Sequence, residues 1–181
     1  MKSRVSDPRH LDVEAFAKDA VQLEGRWPLA ELARLQQGTL PGSDAEVRWS
    51  ARGERREARA GQAETWLHLD AQAQVLLECQ RCLSPVATPL HVERSLRFVA
   101  GEDAAAALDA ESEEDVLALT RDLDLQALVE DELLLALPIV PRHDACPQPL
   151  ALPPDELDEA AEQAAHPFAG LAALKRGNLP N

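Results

Sequence analysis

The alternation of apolar and polar side chains changes period along the chain, and each change marks an element. Val13, Phe16, Ala17 and Ala20 recur at helical spacing, so a short helix capped by Asp12 is expected there. Val21, Leu23, Gly25 and Trp27 then alternate with polar neighbours, the pattern of a half-buried strand. Pro28 suits the first turn of a second helix with Leu29, Leu32, Ala33 and Leu35 as its apolar stripe, closed by Gly38 and Pro41-Gly42-Ser43. Three longer strands are expected next. One starts at Val47 and Trp49; a second crosses residues 64–79 with Trp66, Leu67, Leu69, Val75 and Leu77. The third crosses residues 86–99 with Val86, Leu90, Val92, Leu96 and Phe98. Period-two patterns in successive segments predict an antiparallel meander with one apolar face.

Residues 101–115 read as an acidic, alanine-rich, mobile loop, followed by a short strand at Val116, Leu117 and Leu119. Asp124 is the expected cap of a helix over 125–137. Its apolar residues become continuous from Leu133 to Leu137, so that end is expected to be buried. Pro138 and Pro141 stop the helix and extend the chain. Beyond Cys146, prolines at 147, 149, 153, 154 and 167 surround an acidic stretch that predicts a weakly packed tail. The expected fold is therefore α+β: an antiparallel meander packed against a C-terminal amphipathic helix. Residues 1–145 would form one domain and 146–181 an acidic, partly disordered tail.

Composition narrows the function classes. Of 181 residues, 45% are hydrophobic but only 3% aromatic, with no Tyr, so the core must rest on Leu, Val and Ala. The net charge of −14 argues against broad gripping of a phosphate backbone, and hence against DNA. That charge is unevenly placed. Residues 1–100 are neutral, whereas residues 101–165 set 18 acids against only Arg121 and Arg142. No apolar run approaches the roughly 20 residues of a membrane span, and Met1 to Asp12 lack the apolar stretch of a signal peptide. Three cysteines make no disulfide framework, so a reduced, cytoplasmic protein is expected.

Two clusters carry candidate chemistry. Arg48, Arg52, Arg55, Arg56 and Arg59 face only Glu54 and Glu57 nearby. They suit a solvated hairpin edge that resists edge pairing, or a local contact with RNA phosphate or an acidic protein. Cys79-Gln80-Arg81-Cys82 and the equally spaced pair His143 and Cys146 supply four soft donors suited to a structural tetrahedral zinc. Sixty residues separate the pairs, so free thiols, or a zinc- or thiol-dependent enzyme, stay open as alternatives. A redox pair is disfavoured, because Pro85 and a strand pattern follow where a helix N-terminus would be needed. No nucleophile elbow, phosphate loop or dinucleotide fingerprint is present. Glu130-Asp131-Glu132 is a poor catalytic pair, since consecutive helical residues point about 100° apart.

Leu77-Glu78-Cys79-Gln80-Arg81-Cys82-Leu83 and the run from Leu128 through Glu130-Asp131-Glu132 to Pro138-Ile139-Val140-Pro141 and His143 resemble motifs of a known family. The chain resembles the YceD family, the large ribosomal RNA subunit accumulation proteins of bacteria and plastids. Pro167, Phe168, Ala169, Leu171, Leu174 and Lys175 match a C-terminal family pattern, although His166 stands where Asn is usual. The resemblance implies a non-enzymatic role in 23S rRNA accumulation and assembly of the large ribosomal subunit. It also implies that Phe168, Leu171, Leu174 and Lys175 form a short docking segment. The partner expected is a ribosomal protein or the pre-ribosomal large subunit, with contact to 23S rRNA direct or indirect. The acidic balance favours protein contact, since basic ribosomal proteins complement an acidic surface.

Overall fold

The computed structural model describes residues 7–41, 45–57 and 63–147. Arg59, the tail, and Phe168, Leu171, Leu174 and Lys175 with it, lie outside the described residues. The chain forms an α+β fold around a five-stranded sheet of order β1-β2-β3-β4-β5. β1 (Gln22–Pro28), β2 (Glu46–Glu57), β3 (Ala63–Glu78) and β4 (Pro85–Val99) pair antiparallel in sequence order. β5 (Asp115–Ala118) instead lies parallel to β4, so the sheet is mostly rather than wholly antiparallel. A parallel neighbour needs a crossover. The chain makes it with α3 (Glu102–Asp109), where the sequence pattern suggested a mobile loop. The run Ala104 to Ala107 has the highest helix propensity available, and Glu102 and Asp103 in the first turn complement the helix dipole. The Asp109 carboxylate then accepts from the Val116 N–H at 2.9 Å, tying the crossover to β5.

One face of the sheet carries the core. Val47, Trp49 and Ala51 of β2 and Leu67, Leu69, Ala71 and Val75 of β3 point to it, as do Leu90, Val92, Leu96 and Phe98 of β4. The helix α1 (Val13–Lys18) begins as expected, with the Asp12 carboxylate accepting from the Ala15 N–H. It lies so close to β2 that a Cβ on Gly53 would sit 2.5 Å from the Phe16 carbonyl oxygen. Only glycine fits that crossing. Trp27 stacks on Trp49 with ring centroids 4.4 Å apart, above Gly25.

The second helix is split. Pro28 precedes a 3-10 turn at Leu29–Glu31, and α2 begins only at Ala33–Gln37. Leu32 between them has a non-helical backbone (φ −104°, ψ 80°). Leu29, Leu32 and Leu35 are buried as the pattern implies, but Ala33 is exposed. The last helix, α4 (Leu125–Leu135), buries Leu125, Val129 and Leu133 in the core and carries the expected Asp124 cap. Its C-terminal end is not the buried end: Leu135 is 74% exposed, while Leu134 and Leu137 are half-buried. A continuous apolar run cannot all face one way on a helix, so every third or fourth residue goes inward and the rest stay out. Among the described residues no helix is long and apolar enough to cross a membrane.

Candidate metal centre

The six-residue connection between β3 and β4 is a tight knuckle built around Cys79 and Cys82. The last strand pair is Glu78 with Pro85. Cys79 donates its N–H to the Ser84 carbonyl at 3.0 Å, and Leu83 donates to the Cys79 carbonyl at 2.8 Å. Leu83 closes the turn with a left-handed backbone (φ 60°), a conformation that costs a leucine about 1 kcal/mol or more. Folding back the chain this sharply points both cysteine side chains to one place.

The second pair arrives on the extended segment after α4. Pro138 and Pro141 forbid continuation of the helix, and the Pro141 carbonyl accepts from the Gln80 N–H at 2.9 Å. That bond stitches the segment to the knuckle. His143 and Cys146 then meet Cys79 and Cys82, and the four donor atoms all lie within 4.8 Å of one another. Cys79 Sγ is 4.0 Å from Cys146 Sγ, and Cys82 Sγ is 3.5 Å from His143 Nδ1. A tetrahedron with Zn–S of about 2.3 Å and Zn–N of about 2.0 Å has edges of roughly 3.5–3.8 Å. The cluster is close to that size before any ion contracts it. The sixty intervening residues are bridged because α4 packs along the sheet and delivers its C-terminal extension to the hairpin end.

The surroundings shift two of the four donors toward the deprotonated form that a metal takes and two away from it. Burial pushes the Cys79 thiol up, but N–H donors from Cys82, His143 and Arg81 and the His143 ring outweigh it and hold it at about 5. The Ser84 N–H likewise lowers the Cys82 thiol. Cys146 is raised by burial and by its neighbouring sulfurs, and His143 is raised chiefly by its hydrogen bond with Cys79. His143 Nε2 lies 3.1 Å from the Pro85 carbonyl, to which it donates when its proton sits there. That tautomer leaves Nδ1 free to face the sulfurs, the usual outer support of a metal-binding histidine.

The arginine group is not one surface. Arg48, Arg52 and Arg56 alternate on the solvent face of β2, whereas Arg55 points to the other side. Glu54 takes Arg56 at 2.7 Å and Arg52 at 3.2 Å, and His68 at 2.8 Å. The Arg56 guanidinium also lies 4.6 Å over the Trp66 ring. Much of that positive charge is therefore already answered within the sheet.

The acidic triplet has a use the spacing did not reveal. Buried Glu130 accepts from the Arg34 and Leu35 N–H groups at 2.8 and 3.1 Å and from Arg34 Nε at 2.9 Å. It caps α2, whose own N-cap residue, Leu32, has no side chain able to do so. Asp131 pairs with the same Arg34, and Glu132 pairs with Arg94 at 2.8 Å. Glu130 and Asp131 thus converge on Arg34, while Glu132 turns to Arg94 on β4. A cap supplied from 96 residues away leaves no local signal.

Comparison with known proteins agrees with this anatomy. The family profile described as "Large ribosomal RNA subunit accumulation protein YceD" matches residues 67–175, from mid-β3 through both donor pairs. A curated relative from Haemophilus influenzae, named large ribosomal RNA subunit accumulation protein YceD, is 38% identical over 112 residues. That match covers 58% of this chain and 62% of the relative's length. No solved structure matches the chain. With the profile spanning more than half of its residues, the chain belongs to the YceD family of large ribosomal RNA subunit accumulation proteins.

Proposed function

We propose that this chain is a non-enzymatic factor supporting accumulation of 23S rRNA and biogenesis of the large ribosomal subunit in the cytoplasm. The relative's name supplies the biological direction. The observation that supports the non-enzymatic reading is the donor set: Cys79, Cys82, His143 and Cys146 place four donor atoms within 4.8 Å of one another, enough to fill a tetrahedral site. Structural zinc sites are closed in this way, whereas catalytic ones keep a position open for water or substrate. One zinc would clamp the β3–β4 knuckle to the segment that follows α4, holding a fixed surface for a ribosomal protein or for the rRNA of the pre-ribosomal particle. Cys146 then belongs with the domain, and the tail with Phe168, Leu171, Leu174 and Lys175 is a leash ending in an apolar docking peptide. Arg48, Arg52, Arg55, Arg56 and Arg59 are the weaker contact, given how Glu54 occupies two of them.

Depletion of the protein tests this reading, with 23S measured against 16S rRNA. A fall in the ratio, rescued by the wild-type chain, is expected. Deleting residues 166–176 should abolish rescue, whereas neutralising the five arginines should leave it. Normal 23S levels in depleted cells would overturn the function. Purified protein should hold about one zinc, and Cys79→Ser should release it; a fully folded, metal-free chain from a chelator-free preparation refutes the clamp.

A further inference from the structure

An open cavity of about 980 Å³ lies beside the donor cluster. That volume is at the upper end of small-ligand sites, which run to roughly 1,000 Å³. Its wall combines Val86, Pro89, Pro138, Val140 and Pro141 with two guanidinium-bearing residues, Arg81 and Arg142. Each arginine adjoins the cluster in sequence: Arg81 stands between Cys79 and Cys82, and Arg142 precedes His143. Neither makes an ion pair among the described residues. Among the described residues Asp144 is the one carboxylate in the wall.

Folding leaves several large apolar side chains exposed in or near the knuckle, and one of them, Val140, lines this cavity. Leu83, Leu135, Ile139 and Val140 are 62%, 74%, 99% and 50% exposed. Leu83 lies in the knuckle, Ile139 and Val140 lie in the segment stitched to it at Pro141, and Leu135 is the last residue of α4. Leu83 gains little burial and holds a strained backbone that glycine would adopt freely. An exposed aliphatic group framed by unpaired arginines suits a ligand that is part apolar and part anionic.

We infer that this cavity binds a segment of single-stranded RNA, with phosphates on Arg81 and Arg142 and a base against the aliphatic and proline wall. The inference deepens the rRNA reading above and rests on it for the identity of the RNA. Arginine's planar fork matches phosphate oxygens in pairs, and unpaired bases offer apolar faces to side chains. Among the described residues most of the exposed acids lie far from the cavity. The exposed acids from Glu102 to Asp115 surround α3 and β5, which pair with the Leu96–Val99 end of β4. The cavity lies at the Pro85 end of the same strand. About ten residues at roughly 3.3 Å each put some 30 Å between them, several times the Debye length of about 8 Å. Glu132 and Asp131, nearer by, are taken by Arg94 and Arg34.

The test uses full-length, zinc-loaded protein and fluorescein-labelled 12-nucleotide oligouridylate and oligoadenylate, read by anisotropy across a salt series. Arg81→Gln/Arg142→Gln should weaken binding about tenfold or more and shallow the log–log salt slope by about 1.4, at roughly 0.7 per contact on a single strand. Val140→Ser should weaken binding with the slope unchanged. Zinc content near one per chain shows that the variants stay folded, since no ligand is altered. A photo-crosslinker replacing Val140 in cells should yield nuclease-sensitive adducts mapping to 23S rRNA. Equal RNA affinity of wild type and the double arginine variant, or adducts to protein alone, would overturn the proposal. Should 23S levels stay normal on depletion while oligonucleotide binding still depends on both arginines, the RNA site stands and the accumulation role falls.

Discussion

Replacing Glu130 tests whether the most specific part of the acidic motif is architectural. Its carboxylate accepts three hydrogen bonds, two from the N–H groups that open α2 and one from the Arg34 guanidinium. Loss of a helix N-cap costs about 0.5–2 kcal/mol. Hydrogen bonds to a charged group contribute about 1.5–3 kcal/mol each when buried. The Arg34 side chain is 50% exposed and can rehydrate, so its bond counts for less than the two backbone bonds. Glu130→Ala should therefore cost about 2–4 kcal/mol. Arg34→Ala should cost clearly less, because it keeps the backbone N–H groups capped. Glu130→Gln should fall between, since its amide offers one acceptor to the backbone but turns an N–H₂ toward the guanidinium. Urea titration of zinc-saturated protein, followed by tryptophan fluorescence, gives the three values. Equal losses for Glu130→Ala and Arg34→Ala would refute the capping argument, as would a Glu130→Ala loss under about 0.5 kcal/mol.

Other substitutions separate burial from sequence pattern. Leu133→Ala should cost about 2–5 kcal/mol because Leu133 is fully buried, while Leu135→Ser, at a 74% exposed position, should change stability by less than about 0.5 kcal/mol. Gly53→Ala should destabilise by about 1–3 kcal/mol, since its Cβ would press on the α1 backbone at 2.5 Å; an unchanged urea midpoint would show that α1 can lift away. The Arg56 hydrogen bond holds Glu54 at about 2, below its ordinary 4.5, against a smaller opposing effect of burial. A depressed carboxylate contributes stability above about pH 4.5 and loses it as the pH falls toward 2. Carboxyl NMR should show Glu54 titrating near 2, and higher in Arg56→Ala, where the His68 and Arg52 contacts remain.

The parts of this fold that could be read from the chain are those whose cause is local. Asp12 and Asp124 cap the helices they precede, and the period-two runs become β2, β3 and β4 with the expected residues inward except Trp66, which is buried on the opposite face under Arg56. What escaped has a distant or composite cause. The split before α2 reflects Glu130 competing for the N–H groups of Arg34 and Leu35, a contact 95 residues or more away. The helix in the acidic stretch was hidden because its alanines show no apolar stripe, only propensity. Its parallel strand follows from that helix and not from any residue of Val116 to Leu119. The four donors were visible as types and spacings, but their meeting depends on where α4 ends.

The two long motifs of the chain are best understood as one device. The Cys79–Cys82 knuckle exists only at the turn between β3 and β4, and it has no covalent means of holding another segment. The motif from Leu128 to His143 brings that segment in by steps that each have a separate physical cause. Glu130 caps α2, and Glu132 pairs with Arg94 of β4, fixing the helix over the sheet. Leu133 anchors the last inward-facing turn, and Leu135 already faces water. Pro138 and Pro141 then convert the helix into an extended strap, and the Gln80–Pro141 hydrogen bond sets its register against the knuckle. His143 and Cys146 arrive at the thiols only if every earlier step holds. A defect in capping should therefore lower zinc retention as well as stability. With zinc loaded at the four donors as proposed above, Glu130→Ala is expected to release it to a competing chelator sooner than wild type under conditions where both are folded. Identical release rates would show that the knuckle and strap close on their own, independent of the helix that carries them.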